Sequence, residues 1–168
     1  MGSATGLRLD RAELASDPAL RGRLLALNNR SAIETSFLEA DRVEHMVAGA
    51  FAALHVPDAR ALLITFDQSA DYVSPNFLWF RERFARFVYI DRIVVDEAAR
   101  GAGLAGKLYG QLFDLARAAG HDLIACEVNS QPPNPGSDAF HAAMGFIEAG
   151  VASLAPGKTV RYLTRALG

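Results

Sequence analysis

At 168 residues, with 51% hydrophobic and 21% charged side chains, the chain has the make-up of one ordinary globular domain, residues 1–168, long enough to bury roughly 70% of the surface its unfolded form exposes. Seventeen basic against nineteen acidic residues give a formal net charge of −2 with no basic block, which argues against nucleic acid and for a small-molecule partner. No apolar run approaches the roughly 20 residues of a membrane span, so no membrane partner is expected. The start MGSATGLRLDRAEL lacks the apolar centre of a signal peptide, and the single Cys126 excludes an internal disulfide; a cytoplasmic setting is expected. His45, His55, His121 and His141 are scattered without ligand spacing, so no metal site is expected.

Two helices are expected first, one carrying Leu20, Leu24, Leu25 and Leu27 and one carrying Val43, Met46 and Val47. AFAALHV and ARALLITFD, separated by PD, read as two strands joined by a turn. QSADYVSPNFLWFRERFAR then reads as a long loop or flap. FVYIDRIVV, rich in β-branched and aromatic residues, is the strongest strand pattern in the chain. Leu104, Leu108, Leu112, Leu115 and Ala119 define one face of a helix ending at Gly120. DLIACEV is a further buried strand, followed by the Pro-rich loop NSQPPNPG, a short helix through SDAFHAAM, and a hairpin of GFIEAGVASLA and KTVRYLTRAL around PG. This order implies an α/β domain with a mixed sheet.

The stretch RGAGLAGKLYG, residues 100–110, fits three phosphate-binding patterns: the dinucleotide G-x-G-x-x-G, an approximate P-loop, and R-x-x-G-x-A. All three rest on glycines that let the backbone approach a phosphate and on the free N–H groups at a helix start. In a dinucleotide fold the strand runs straight into the first glycine, whereas DEAAR intervenes here, and about 40 residues after Glu127 are too few for a doubly wound sheet. The P-loop lacks the hydroxyl residue after its lysine, because Leu108 follows Lys107. Gly106 and Gly110 each cost about 1 kcal/mol relative to alanine inside a helix, so close packing or a ligand should account for them.

IVVDEAARGAGLAGKLYGQLFDLARAAG resembles the central motif of the GNAT superfamily of acetyl-CoA-dependent N-acetyltransferases. NPGSDAFHAAMGF resembles the same superfamily's downstream motif, with Asn134, Gly145 and Phe146 in register and His141 at the position usually held by tyrosine. LNN, SADYVSPNFLWF, VYIDRIVV and CEVNSQPPNPGSDAFH together resemble a bacterial branch of predicted GNAT acetyltransferases. The resemblance implies a GNAT fold, with a mixed central sheet of about six or seven strands flanked by about four helices. It also implies an N-acetyltransferase that uses acetyl-CoA to acylate an amine of a small molecule or peptide by direct attack in a ternary complex. In that picture Ile93, Val94 and Val95 pair with the pantetheine arm through their backbone. Arg100, Gly101, Ala102, Gly103, Leu104 and Ala105 hold the pyrophosphate, and Asn134, Ser137 and Phe140 line the other side of the cofactor.

The family's tyrosine is thought to protonate the departing thiolate, and His141 is the candidate to replace it. Asp91, expected to alternate with Ile93 and Val95, and Glu127, at the end of the next strand, are the candidate bases. The family's strand glutamate aligns with about Tyr89. Each acid has an alternative as an ion-pair partner, with Arg92 at hand. Asn28, Asn29, Asp71, Tyr72, Asn76, Phe77 and Trp79 are candidate acceptor contacts, the aromatics having an alternative as anchors that pin a loop to the core. Cys126, inside an apolar strand, reads as an inert thiol. A non-catalytic acyl-CoA-binding module stays open as the alternative, because the usual tyrosine and glutamate are absent, and the sequence leaves the formation of a homodimer open.

Overall fold

The computed structural model describes residues 6–168, apart from the side chains of Ile33 and Glu34; Met1–Thr5, on which the reading of the N-terminus partly rests, lie outside the described residues. Seven strands form one sheet: β1 (Leu7–Arg8), β2 (Ala52–Val56), β3 (Ala61–Asp67), β4 (Val88–Val95), β5 (Leu123–Gln131), β6 (Ile147–Ala155) and β7 (Lys158–Ala166). Their order is β1-β2-β3-β4-β5-β7-β6. Every neighbouring pair is antiparallel except β4 and β5.

The helices are α1 (Arg11–Ser16), α2 (Pro18–Arg30), α3 (Ala32–Thr35), α4 (Ala40–Gly49), α5 (Pro75–Arg81), α6 (Leu104–Ala118) and α7 (Pro135–Ala143). They cover both faces of the sheet. One core joins α1, α2, α4 and α5 to the sheet through Leu14, Leu24, Met46, Phe77, Phe80 and Tyr162. The other joins α6 to the opposite face through Leu108, Tyr109, Leu112, Ile124, Cys126 and Phe146. The mixed α/β architecture is the expected one.

Three local features differ from the sequence reading. The flap contains a helix, α5, because Ser74 accepts a hydrogen bond from the Phe77 N–H and Pro75 sits in the first turn, where its missing N–H is harmless. The two early helices are joined by the short α1 and α3. The buried side of α6 is Leu104, Leu108, Tyr109, Leu112, Phe113 and Ala116, while Ala119 is exposed. The leucine spacing therefore misses a stripe turned toward Tyr109 and Phe113.

Two irregularities in the centre of the sheet prepare a site. β4 and β5 pair only at Val88–Ile124 and Tyr89–Ala125, so beyond these residues the strands diverge and expose facing edges. In addition, Ile64 pairs with Arg92 and Thr65 with Ile90, which leaves Asp91 as the extra residue of a bulge. The bulge breaks the alternation expected from sequence. Asp91 turns toward Tyr72 and the first core, whereas Ile93 and Val95 pack against the second.

Candidate active site

The divergence of β4 and β5 opens a cleft of about 460 Å³. It brings together Asp91, Ile93, Val94, Val95, Arg100, Ala105, Glu127, Asn134, Ser137, Phe140 and His141, all singled out from the sequence, and adds Tyr109, Arg92 and Asn129. Below the cleft the backbone continues through a short helical turn at Glu97–Ala99 into a glycine loop. Gly101 and Gly103 adopt left-handed conformations, φ +86° and +75°, which favour glycine over any residue with a Cβ. Gly103 is the N-cap of α6, and among the described residues no side chain caps the N–H groups of Leu104, Ala105 and Gly106. An uncapped helix start beside an exposed arginine is suited to a phosphate. A flexible ligand with amide groups would find partners along the unpaired edge of β4. These features fit the pyrophosphate and pantetheine of acetyl-CoA. Asn134 spends its side-chain oxygen on the Ser137 N–H, capping α7.

Two side-chain clusters occupy opposite faces of the sheet at the cleft. In the first, Glu127 Oε2 accepts a hydrogen bond from Tyr89 OH at 2.7 Å and Oε1 accepts one from Asn76 Nδ2 at 3.0 Å. Burial pushes the Glu127 carboxyl up to about 8; Tyr89 and Asn76 oppose the rise by donating to the ionised form, and Asp91 adds to it by like charge. Asp91 accepts a hydrogen bond from Tyr72 OH and pairs with Arg92 Nε at 2.7 Å. Its oxygens are thus bound to neighbours on both sides.

In the second cluster His141 is buried, and its Nδ1 lies 2.8 Å from the Ser137 carbonyl oxygen. A carbonyl only accepts, so Nδ1 carries the proton. Burial pushes the imidazole below its ordinary value, and the neutral ring then accepts at Nε2 from Tyr109 OH, 2.9 Å away. His141 accordingly presents no hydrogen to the cleft. Cys126, next to Glu127 but on the Tyr109 side, is buried and its thiol is pushed well up by burial, so it holds no thiolate at neutral pH.

The acceptor candidates are brought together only in part. Asn28 is fully buried; its Nδ2 donates to Ser36 O (2.9 Å) and Asn29 Oδ1 (3.0 Å), and its oxygen accepts from Arg92 (2.9 Å). Asn29 bonds both the N–H and the C=O of Leu38, standing in for a strand partner. These amides are spent on anchoring the segment Ser36–Leu38 and lie outside the cleft. Phe77 is fully buried and Trp79 stacks on Tyr162 at 4.2 Å, so both are packing residues. Asp71 is exposed and away from the cleft lining. Tyr72 stacks on Phe66 and reaches the site through Asp91. Sequence reasoning missed Tyr109 because it lies one position off the leucine row, although its four-residue spacing to Phe113 marked a second apolar row.

A family model, that of the acetyltransferase (GNAT) family, matches residues 37–146. No curated protein matches the sequence. Among solved structures, yncA from Salmonella typhimurium, determined with its cofactor acetyl-CoA, superposes with a TM-score of 0.68 at 17% identity, over 99% of this chain and 95% of that one. The ribosomal-protein-S18-alanine N-acetyltransferase from Escherichia coli gives 0.64 at 16% identity over 98% and 94%. Ard1 from Thermoplasma volcanium gives 0.69 at 14% over 99% of each chain. Together with the splayed strands and the glycine loop, the family match shows that the chain belongs to the GNAT family of N-acetyltransferases, whose cofactor is acetyl-CoA.

Proposed function

We propose that the protein acetylates an amine of a small molecule or peptide by direct attack in a ternary complex, with Glu127 as the base and Tyr109, held by His141, as the proton donor to the leaving thiol. One observation carries this reading. At the two positions where the usual glutamate and tyrosine are absent, the substituted residue is hydrogen-bonded to a neighbour of the type that was lost. Tyr89 stands at about the place of the glutamate and holds Glu127; His141 stands at the place of the tyrosine and holds Tyr109. A tyrosine at 141 would reach further than an imidazole by about one hydrogen-bond length. The Tyr109 hydroxyl supplies the same chemical group at that reach. These exchanges favour an enzyme over a binding module.

Acetyl-CoA supplies a thioester whose acetyl carbon an amine attacks and whose thiol departs. The β4 edge at Ile93–Val95 and the loop Arg100–Ala105 hold that ligand, while Ser137 and Phe140 border its other side. Glu127 takes the amine proton on a carboxylate oxygen, and a base near 8 is matched to this task at neutral to mildly alkaline pH. Burial keeps the Tyr109 hydroxyl protonated, so its proton moves only as the sulfur leaves, turning from His141 Nε2 toward it. Because Glu127 and Tyr109 reach the cleft from opposite faces of the sheet, proton uptake and proton delivery would be separated between them. Asp91, bound by Arg92 and Tyr72, acts as a neighbouring charge.

The first test is thermal stabilisation by acetyl-CoA and CoA beside NADH and ATP; a ligand at 100 times its Kd adds about 2.7 kcal/mol. Stabilisation by the CoA pair alone is expected, followed by thiol release with a panel of amines and peptides. Tyr109→Phe is expected to lower kcat about 10²-fold with the acetyl-CoA response intact. Wild-type kcat in Tyr109→Phe would remove Tyr109 from the chemistry.

A further inference from the structure

Asn76 was a candidate acceptor contact, but its amide is occupied at both ends. Nδ2 donates to Glu127 Oε1 at 3.0 Å, and Oδ1 accepts from Tyr162 OH at 2.9 Å. The ionised carboxylate, which only accepts, fixes which end of the amide faces it, and Tyr162 OH then holds the other end by donating to Oδ1. Tyr162 is itself fixed. Its ring lies parallel to Trp79 at 4.2 Å and edge-on to Phe80 at 5.3 Å. Asn76 and Trp79 are three residues apart on α5, hence on one face of the helix, so the helix holds both the hydroxyl and the ring of the same tyrosine. Gly150 on β6 lies under Trp79, where an added Cβ would come within 2.4 Å of the indole. The α5 helix is thus seated firmly against β6 and β7.

We propose that Asn76 is the positioning residue of Glu127: delivered by α5 and held at its far end by Tyr162, its amide fixes one carboxylate oxygen while Tyr89 fixes the other. The inference rests on Glu127 as the base. A carboxylate with one directed donor on each oxygen cannot turn about its terminal bond without losing both, so its remaining lone pairs keep one direction toward the cleft. The titratable groups around Glu127 are Tyr89 and Asp91 from β4 and Tyr162 from β7 on its own side of the sheet, with Tyr109 from α6 and Cys126 across the sheet. Asn76 is the donor among its neighbours that never titrates. Once Glu127 is ionised, the chain Tyr162–Asn76–Glu127–Tyr89 has a single polarity, with both donors aimed at the carboxylate.

The test is a carbon-13 NMR titration of the Glu127 side-chain carboxyl in the intact protein, the resonance being assigned by its loss in Glu127→Gln. Asn76→Leu, close in volume and without polar ends, is expected to raise the Glu127 midpoint by about one pH unit, because a donor to the ionised form is lost. Tyr162→Phe, which keeps the amide but leaves its oxygen end unheld, is expected to raise the midpoint by less. Both variants are expected to lower kcat while leaving the acetyl-CoA thermal response and the acceptor KM unchanged. An unmoved midpoint in both variants overturns the inference. If Asn76→Leu does not fold, Tyr162→Phe alone decides, by the same criterion. The base reading fails separately, if Glu127→Gln keeps the wild-type rate and pH profile.

Discussion

The two flanks of the cleft offer a ligand different kinds of atom. On the side of α6 and the glycine loop, apart from the Tyr109–His141 pair and Arg100, the available groups belong to the main chain: the free edge of β4 beyond Tyr89, two left-handed glycines, and the uncapped start of α6. On the side of α2 and α5 they are side chains tied to one another across long stretches of sequence, 51 residues from Asn76 to Glu127, 86 from Asn76 to Tyr162 and 64 from Asn28 to Arg92. A main-chain site needs little beyond glycine at fixed spacing after a strand, and so it appears in a sequence as a motif. A side-chain network can be built from many residue pairs and leaves no local pattern. The main-chain part of the first flank is therefore tolerant of side-chain identity, and the second is individual to this chain.

The sharpest way to break that comparison is to remove the carboxylate itself. Glu127→Gln should lower kcat/KM by about 10²–10⁴-fold, the range of general acid–base catalysis, while acetyl-CoA still stabilises the fold. In the wild type kcat/KM should rise with pH and level off above about 8, where Glu127 is ionised; in the variant that rise should vanish. Stability runs the other way. A carboxyl raised in the folded state binds its proton more tightly there than in the unfolded chain, so its contribution is fully present below the ordinary carboxylate range and is lost as pH rises through about 8. Melting curves at pH 5 and pH 9 should show a larger drop for the wild type than for Glu127→Gln. A loss of acetyl-CoA binding in the variant would mean that the two flanks are not separable.

A second variant sharpens the same contrast on the structural part of the network. Asn28→Ala removes the close acceptor of Arg92 Nη1 and the shorter of the two hydrogen bonds to the Ser36 carbonyl, which should cost about 3 kcal/mol in chemical denaturation. Its acceptor KM should be unchanged, because Asn28 lies outside the cleft. A raised KM with wild-type stability would return Asn28 to the acceptor site.

What could be read in the sequence follows the same division. The glycine loop was legible because Gly101 and Gly103 are required by backbone angles and because R-x-x-G-x-A follows a strand. The element order was legible because β4 and α6 have strong periodicity. The orientation of Asp91 was not, since a one-residue bulge opposite Ile64 and Thr65 reverses the pleat without any glycine or proline to mark it. α5 was hidden for a different reason. Its start, Ser74-Pro75, is a good helix signal, but the run Phe77-Leu78-Trp79-Phe80 is apolar on all sides and shows no helical period. It packs into the core on one side and against Tyr162 on another. The pairings Tyr89–Glu127 and Tyr109–His141 depend on which strands and helices become neighbours, information that resides in the assembled sheet.

The smallest expected effect concerns Gly106 and Gly110, for which close packing or a ligand had to be found. Packing does not account for either, because a Cβ added at Gly106 or Gly110 meets nothing within 4 Å. Both lie in α6, four residues apart on one row, with Gly106 in the first turn beside the loop and Gly110 one turn further on. A Cβ in a helix tilts toward the N-terminus, so at 106 it would project toward the space beside the uncapped N–H groups. Alanine at either position should stabilise the free protein by up to about 1 kcal/mol, or about 2–4 °C in Tm for a domain of this size. Only Gly106→Ala should then weaken the stabilisation given by acetyl-CoA, since only there does the new methyl group compete for the cofactor's space. Equal acetyl-CoA responses in the two variants would place the pyrophosphate away from the start of α6 and confine the main-chain flank to the β4 edge and the loop.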